Sequence, residues 1–182
     1  MSASAGGVAA ALVVVDVQNG FVSAHSRHVV PAIVRLVDAW TGPVVFTRYH
    51  NYPGSPFERL HGWTAMQGPP GTDIVPALAA AAAAADVVDK RIYSLFTDEG
   101  RRLVADRGWT DLVFCGIATE SCVLKSAADA FELGYTPWLV TDACASDFSP
   151  EAHAAGLLCA QQFIGPGQLV TSERALRLVK PA

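Results

Sequence analysis

Short, continuously apolar runs rich in β-branched residues recur along this chain, each separated from the next by a longer stretch of helical character. The runs are Leu12–Asp16, Val44–Thr47, Asp86–Asp89, Leu112–Cys115, Trp138–Thr141 and Gln168–Thr171. A strand with one wet face alternates apolar and polar residues, whereas an unbroken apolar run suits a parallel strand buried on both faces. The segments near Val29–Trp40, Pro76–Ala85, Asp98–Arg107, Ser121–Leu133 and Pro150–Gln161 read as helices. The last carries the clearest start signal: Ser149 can accept the first free amides, Pro150 suits the opening turn, and Glu151 complements the dipole. Gly108 and Gly134 fall where a left-handed residue ends a helix. Six strands alternating with five helices predict an α/β fold. It would be a doubly wound, six-stranded, mainly parallel sheet with helices on both faces, a Rossmann-like three-layer arrangement.

Composition narrows what such a fold can do. Of 182 residues, 51% are hydrophobic and 16% charged, which excludes global disorder and supplies the core of one domain over positions 1–182. Thirteen basic and seventeen acidic residues give a formal charge of −4, and no long basic tract points to nucleic acid or an anionic membrane. The longest apolar run, Val8 to Val15, falls well short of the ~20 residues a membrane span requires. It has no basic residue before it and ends at Asp16, unlike a signal peptide. Cys115, Cys122, Cys144 and Cys159 form no C-x-x-C pair, and a chain of this size needs no disulfides, so a reducing cytoplasm is the expected location. Neither a glycine-rich dinucleotide fingerprint nor a P-loop occurs, and no cofactor is expected. The expected partner is a small-molecule substrate.

In doubly wound sheets, ligands bind beyond the carboxyl ends of the strands. The positions to inspect are therefore Asp16, Arg48 to His50, Asp89 and Lys90, Gly116 to Cys122, and Asp142 to Cys144. Asp16, half-shielded by apolar neighbours, suits a general base, although an Asp ahead of Asn19-Gly20 also suits a turn. Lys90 could lower the pKa of a nearby thiol or neutralise an oxyanion. Cys122 sits near the start of a helix, where free amides and the dipole favour thiolate and could hold an oxyanion. Gly116 allows the tight turn before it, while Cys115 and Cys159 read as small buried hydrophobes. The Pro- and Gly-rich stretch Tyr49–Thr72 is too long for an ordinary connection and suggests a lid or specificity loop. Its Tyr49, Tyr52, Phe57 and Trp63, with Phe21 and Phe96, could line an apolar pocket for a small planar substrate.

Taken together, Val14 to Phe21, Lys90 to Phe96 and Gly116 to Val123, with Thr141 to Ser146 and His153, resemble the isochorismatase-like cysteine hydrolase superfamily. The resemblance runs from about Ala11 to Ser172 and includes nicotinamidase-like and N-carbamoylsarcosine amidohydrolase-like members. It implies the isochorismatase-like fold, a homo-oligomer, and a catalytic triad of Asp16, Lys90 and Cys122 working through a thioester. It also implies a cis peptide between Ile117 and Ala118 that aims the amides of Ala118 and Cys122 at the oxyanion. Members resembling nicotinamidase carry Asp-x-His after the second strand for a divalent metal, whereas this chain has Arg48-Tyr49-His50. His50, Glu58 and His61 remain nearby as potential zinc donors, but Arg48 repels a cation, so no metal site is expected. The resulting reading is a metal-independent cysteine amidohydrolase for small amides, ureides or carbamoyl compounds. Phe21, Arg48, His50 and Phe96 would be its substrate-binding residues, with Arg48 pairing to a substrate carboxylate. Two alternatives differ in what they ask of the thiol. An isochorismatase-type vinyl ether hydrolase would not require Cys122, and a non-catalytic assembly protein would not require it to react.

Overall fold

The computed structural model describes residues 9–178. Its strands are β1 (Ala10–Val15), β2 (Val44–Tyr49), β3 (Asp86–Lys90), β4 (Asp111–Ile117), β5 (Thr136–Ala145) and β6 (Leu169–Val170). The helices are α1 (Val30–Ala39), α2 (Pro56–His61), α3 (Pro76–Ala83), α4 (Asp98–Arg107), α5 (Leu124–Glu132), α6 (Pro150–Ile164) and α7 (Ser172–Leu178). Every residue of β1 is buried, and successive strand side chains point to opposite faces, so both faces of the sheet are covered. Helices provide that cover in two groups: α1 packs with α3 and α7, and α5 packs with α6. Among the described residues no helix is long and apolar enough to cross a membrane.

All strand pairs are parallel, in the order β3-β2-β1-β4-β5-β6. The chain winds outward from β1 in one direction and from β4 in the other. Their adjacent carboxyl ends, where Val15 pairs with Gly116, open the crevice in which this topology binds ligands. Close approach there demands glycine. Gly116 has φ +126°, and a Cβ on it would lie 2.1 Å from the Val15 carbonyl oxygen. At Asp16 the chain leaves β1 in the left-handed region, φ +48°, which Asp tolerates better than most residues.

Two elements differ from the sequence reading, and α7 is a helix it did not foresee. β5 continues past Thr141 to Ala145, its ladder with β4 resuming at Gly116–Cys144 after a register shift. The polar pair Thr141-Asp142 masks this continuity because it is used locally: Thr141 Oγ1 donates to Val170 O, and Asp142 Oδ1 accepts from Ser172. The long stretch after β2 contains α2, whose start is capped by Ser55 accepting from the Glu58 amide, with Pro56 in the first turn. Gly62, φ +65°, ends it. Cys115 is buried as expected, whereas Cys159 is exposed, because α6 turns Gly156, Ala160 and Ile164 inward instead.

Gly116→Ala is expected to destabilise the protein by about 2 kcal/mol or more, since the new methyl meets backbone rather than a movable side chain. Urea unfolding monitored by far-ultraviolet circular dichroism checks this; an unchanged midpoint would contradict the close approach.

Candidate active site

Asp16 follows β1, Lys90 ends β3, and Cys122 follows β4, so three strands deliver the three groups to one crevice. β3 lies two strands from β1, about 10 Å away, and the long lysine stem spans that gap. Lys90 Nζ donates to Asp16 Oδ2 at 2.6 Å, and neither side chain has any solvent exposure. The ammonium also donates to the carbonyls of Ile92 at 3.1 Å and Tyr93 at 2.9 Å. Thr47 Oγ1 donates to Asp16 Oδ1 at 2.6 Å and accepts from the Asp16 amide at 3.2 Å. A buried ion pair persists only when such bonds replace the lost water. Burial pulls the Lys90 ammonium down, but the Asp16 carboxylate, with Cys122, outweighs it and holds Lys90 above its ordinary range.

Cys122 lies in a wide π-helical turn, Thr119–Val123, that leads into α5. The Ile117–Ala118 peptide before it is cis. Ser126 Oγ donates to the Cys122 carbonyl at 2.7 Å, and α6 seats against the turn at Gly156, where a Cβ would lie 2.8 Å from Glu120 Cα. Asp16 and Lys90 are the two charged groups that act on the sulfur. The helix-start argument alone favours thiolate; the structure reverses that expectation. Burial and the Asp16 charge push the Cys122 thiol well above the ordinary thiol range, with Lys90 pulling only partly the other way. Both influences favour the thiol form of Cys122, with the Asp16 carboxyl beside it.

Above the sulfur is a cavity of about 580 Å³. Phe21, Tyr49, Phe57, Trp63 and Tyr93 form its aromatic wall, with Phe57 ring centroids 5.3 Å from Tyr49, 5.7 Å from Trp63 and 5.1 Å from Tyr93. Buried amides pin this wall. Gln18 Nε2 donates to the carbonyls of Tyr49 and Thr72 while its Oε1 accepts from the Tyr49 amide. Asn51 Nδ2 donates to the carbonyls of Trp63 and Ala65.

Arg48, His50 and Phe96 do not reach this cavity. The two-residue period of β2 turns Thr47 and Tyr49 toward the site and Arg48 away from it, onto its ladder partner Asp89. Arg48 donates to that carboxylate at 2.6 and 2.9 Å, and His50 Nε2 lies 2.9 Å from it. Phe96 is buried and stacks on Tyr135 at 5.8 Å. Tyr52, likewise, sits under Arg91 rather than in the wall. Glu58 accepts from the Gly54 amide, while His61 does line the cavity. The donor set therefore does not fit a divalent metal: Asp89, beside His50, is already neutralised by a guanidinium. Among the described residues no group of three or more His, Cys, Asp or Glu side chains is gathered for an ion.

Tyr93, Glu120, Asp147 and Phe148 also line the cavity and were not singled out from sequence. The signal for Asp147 and Phe148 was their place just past a strand end, hidden by reading β5 as ending at Thr141. Tyr93 follows β3 closely, and Glu120 lies inside the Gly116–Cys122 segment.

A thiol beside a carboxylate and an ammonium, on the floor of an aromatic cavity, suits nucleophilic attack on a polarised carbon. Known proteins agree with this architecture. The isochorismatase domain family matches residues 10–171. An uncharacterized isochorismatase family protein of Bacillus subtilis, YwoC, is 32% identical over 93% of this chain and 94% of its own length. Nicotinamidase 3 of Arabidopsis thaliana is 28% identical, covering 82% of this chain and 79% of that protein. The structure of N-carbamoylsarcosine amidase from Thermoplasma acidophilum superposes with a TM-score of 0.76 at 25% identity, over 90% of this chain and 96% of that one. With the fold, the family match and the YwoC identity in agreement, this chain belongs to the isochorismatase family.

Proposed function

We propose that this isochorismatase-family hydrolase cleaves a C–N bond of a small amide, ureido or carbamoyl compound through an acyl intermediate on Cys122. The observation that carries the reading is the solvent-free Lys90–Asp16 pair, 2.6 Å long, within reach of a thiol that opens onto the cavity. Nicotinamidase 3 and N-carbamoylsarcosine amidase, two relatives named as amidases, support the reaction class.

In this reading Cys122 Sγ forms a bond to the carbonyl carbon as its proton passes to Asp16. The carbonyl π electrons move to oxygen, facing the amides of Ala118 and Cys122. Collapse of that adduct breaks the C–N bond, and Asp16 returns the proton to the departing nitrogen, leaving the acyl group on sulfur. Water then attacks the acyl carbon, Asp16 takes its proton, and cleavage of the C–S bond restores the thiol. The sum is amide plus water giving acid plus amine. Lys90, raised by its partners, stays the ammonium that hydrogen-bonds Asp16 Oδ2 and aims the carboxyl at the sulfur.

Cys122→Ala and Asp16→Asn are each expected to lower ammonia release from a panel of small amides and ureides by about 10³-fold or more. Full activity in Cys122→Ala would overturn the covalent route and favour vinyl ether hydrolysis, which needs no thiol. Alkylation of the native protein by iodoacetamide, located at Cys122 by peptide mass spectrometry, gives the pH test. Because the thiol is raised, its thiolate fraction should grow about tenfold per pH unit and keep growing past the ~8.5 at which an ordinary thiol levels off. A plateau below about pH 8 would contradict the assignment. Because Arg48 and His50 share Asp89, pre-treatment with chelator should leave the hydrolytic rate unchanged. A strong loss restored by zinc or iron would contradict that.

A further inference from the structure

The cavity is lined by two acidic side chains and one imidazole, that of His61. Glu120 and Asp147 line it, and among the described residues no lysine or arginine does. Basic groups around it are engaged elsewhere: Lys90 by Asp16 and two carbonyls, Arg48 by Asp89, Arg91 over Tyr52, Lys125 by Asp129, and His153, on which the Glu120 charge acts, by Thr119 Oγ1. Burial, opposed by its own backbone amide and reinforced by Glu120, holds the Asp147 carboxyl above the ordinary carboxylate range.

Among the described residues two buried side-chain polar atoms are left without partners, and both belong to residues of this cavity. Glu120 Oε1 accepts from Ser146 Oγ at 2.6 Å, but Oε2 accepts nothing among the described residues. Tyr49 is 2% exposed, its ring packs in the aromatic wall, and its hydroxyl is likewise unpartnered. Such groups are normally satisfied, and both residues line the cavity, so a ligand there is placed to supply the missing bonds. An acceptor-only carboxylate asks for a donor, and rings such as Trp63, Phe57 and Tyr93 offer negative faces to a cation.

We infer that the substrate's far end carries a positively charged nitrogen group, bound by Glu120 and the aromatic wall while Cys122 faces the amide. This rests on the amidohydrolase reading and deepens it by naming the substrate's charge. It also replaces the expectation that Arg48 pairs with a substrate carboxylate. Glu120 is then a specificity residue: its carboxylate is fixed by Ser146, whose Oγ in turn accepts from the amides of Phe148 and Ser149.

Three compounds of similar size test the inference: 3-(aminomethyl)benzamide, 3-ethylbenzamide and 3-carbamoylbenzoate. Ammonia release by the native protein gives kcat/KM, and calorimetric titration of Cys122→Ala gives binding without turnover. In both, the cationic amide should exceed the neutral one by about tenfold or more, with the carboxylate weakest. Glu120→Gln, which keeps an acceptor for Ser146, should bring the cation-to-neutral ratio to within about twofold, and Asp147→Asn should reduce it less. Preference for the carboxylate, equal binding of all three, no binding of the cation, or a cation preference that survives both substitutions would overturn the inference. Charge-selective binding without ammonia release from any amide would instead overturn the amidohydrolase reading and leave the inference standing. Ammonia release without charge preference would do the reverse.

Discussion

The Lys90–Asp16 ion pair is the constraint around which this molecule is organised. Two charges removed from water are unfavourable unless every remaining donor and acceptor is met, and stranding one partner costs about 3–5 kcal/mol. Here Thr47 serves one carboxylate oxygen, Lys90 the other, and the carbonyls of Ile92 and Tyr93 share the ammonium. Those bonds come from β1, β2 and the segment after β3, so the pair can form only when that half of the sheet is in register. A hydrophobic replacement would hold the sheet together as well. What the pair adds is a charged carboxylate beside a thiol in a dry place.

The rest of the architecture supplies what that pair lacks. β4 and its sharp turn bring in Cys122, which requires glycine where the chain passes Val15. The segment after β2 brings in the aromatic wall. It is held by Gln18 and Asn51, whose side-chain amides are bonded to backbone on both sides of the loop. Phe57, His61 and Trp63 of this stretch, which the sequence suggested as a lid or specificity loop, line the cavity. Nothing in this bonding pattern resembles a loose flap; the wall is anchored at Tyr49, Trp63, Ala65 and Thr72.

Much of the fold was legible because an unbroken apolar run such as Leu12–Val15, in a chain with so few charges, fits little besides a strand buried on both faces. The carboxyl ends of β1, β3 and β4 carry an acid, an amine and a thiol, and that much could be read directly. What sequence could not supply was direction. Arg48 is adjacent to Thr47 and Tyr49, yet the pleat sends it to the opposite face and onto Asp89. Phe96 is as aromatic as Phe57, but it is buried against Tyr135 instead of the cavity. Cys122 shows the same limit in electrostatics. Proximity to a helix start favours thiolate, whereas burial, with the Asp16 charge beside it, pushes the thiol upward, and that depends on the three-dimensional fold. Glu120 was hidden for a related reason, since an acidic residue in a turn is ordinarily solvated and this one packs against Gly156 of α6 and is bonded to Ser146.

Covalent loading of Cys122 is the step on which the proposed chemistry turns. Acid-quenching the protein during turnover of an accepted amide, then digesting it for tandem mass spectrometry, reads this directly. The mass of the acyl group should appear on the peptide containing Cys122 and disappear as substrate is exhausted. An acyl group carried by any other residue, or turnover in which no sample ever holds one, would contradict it.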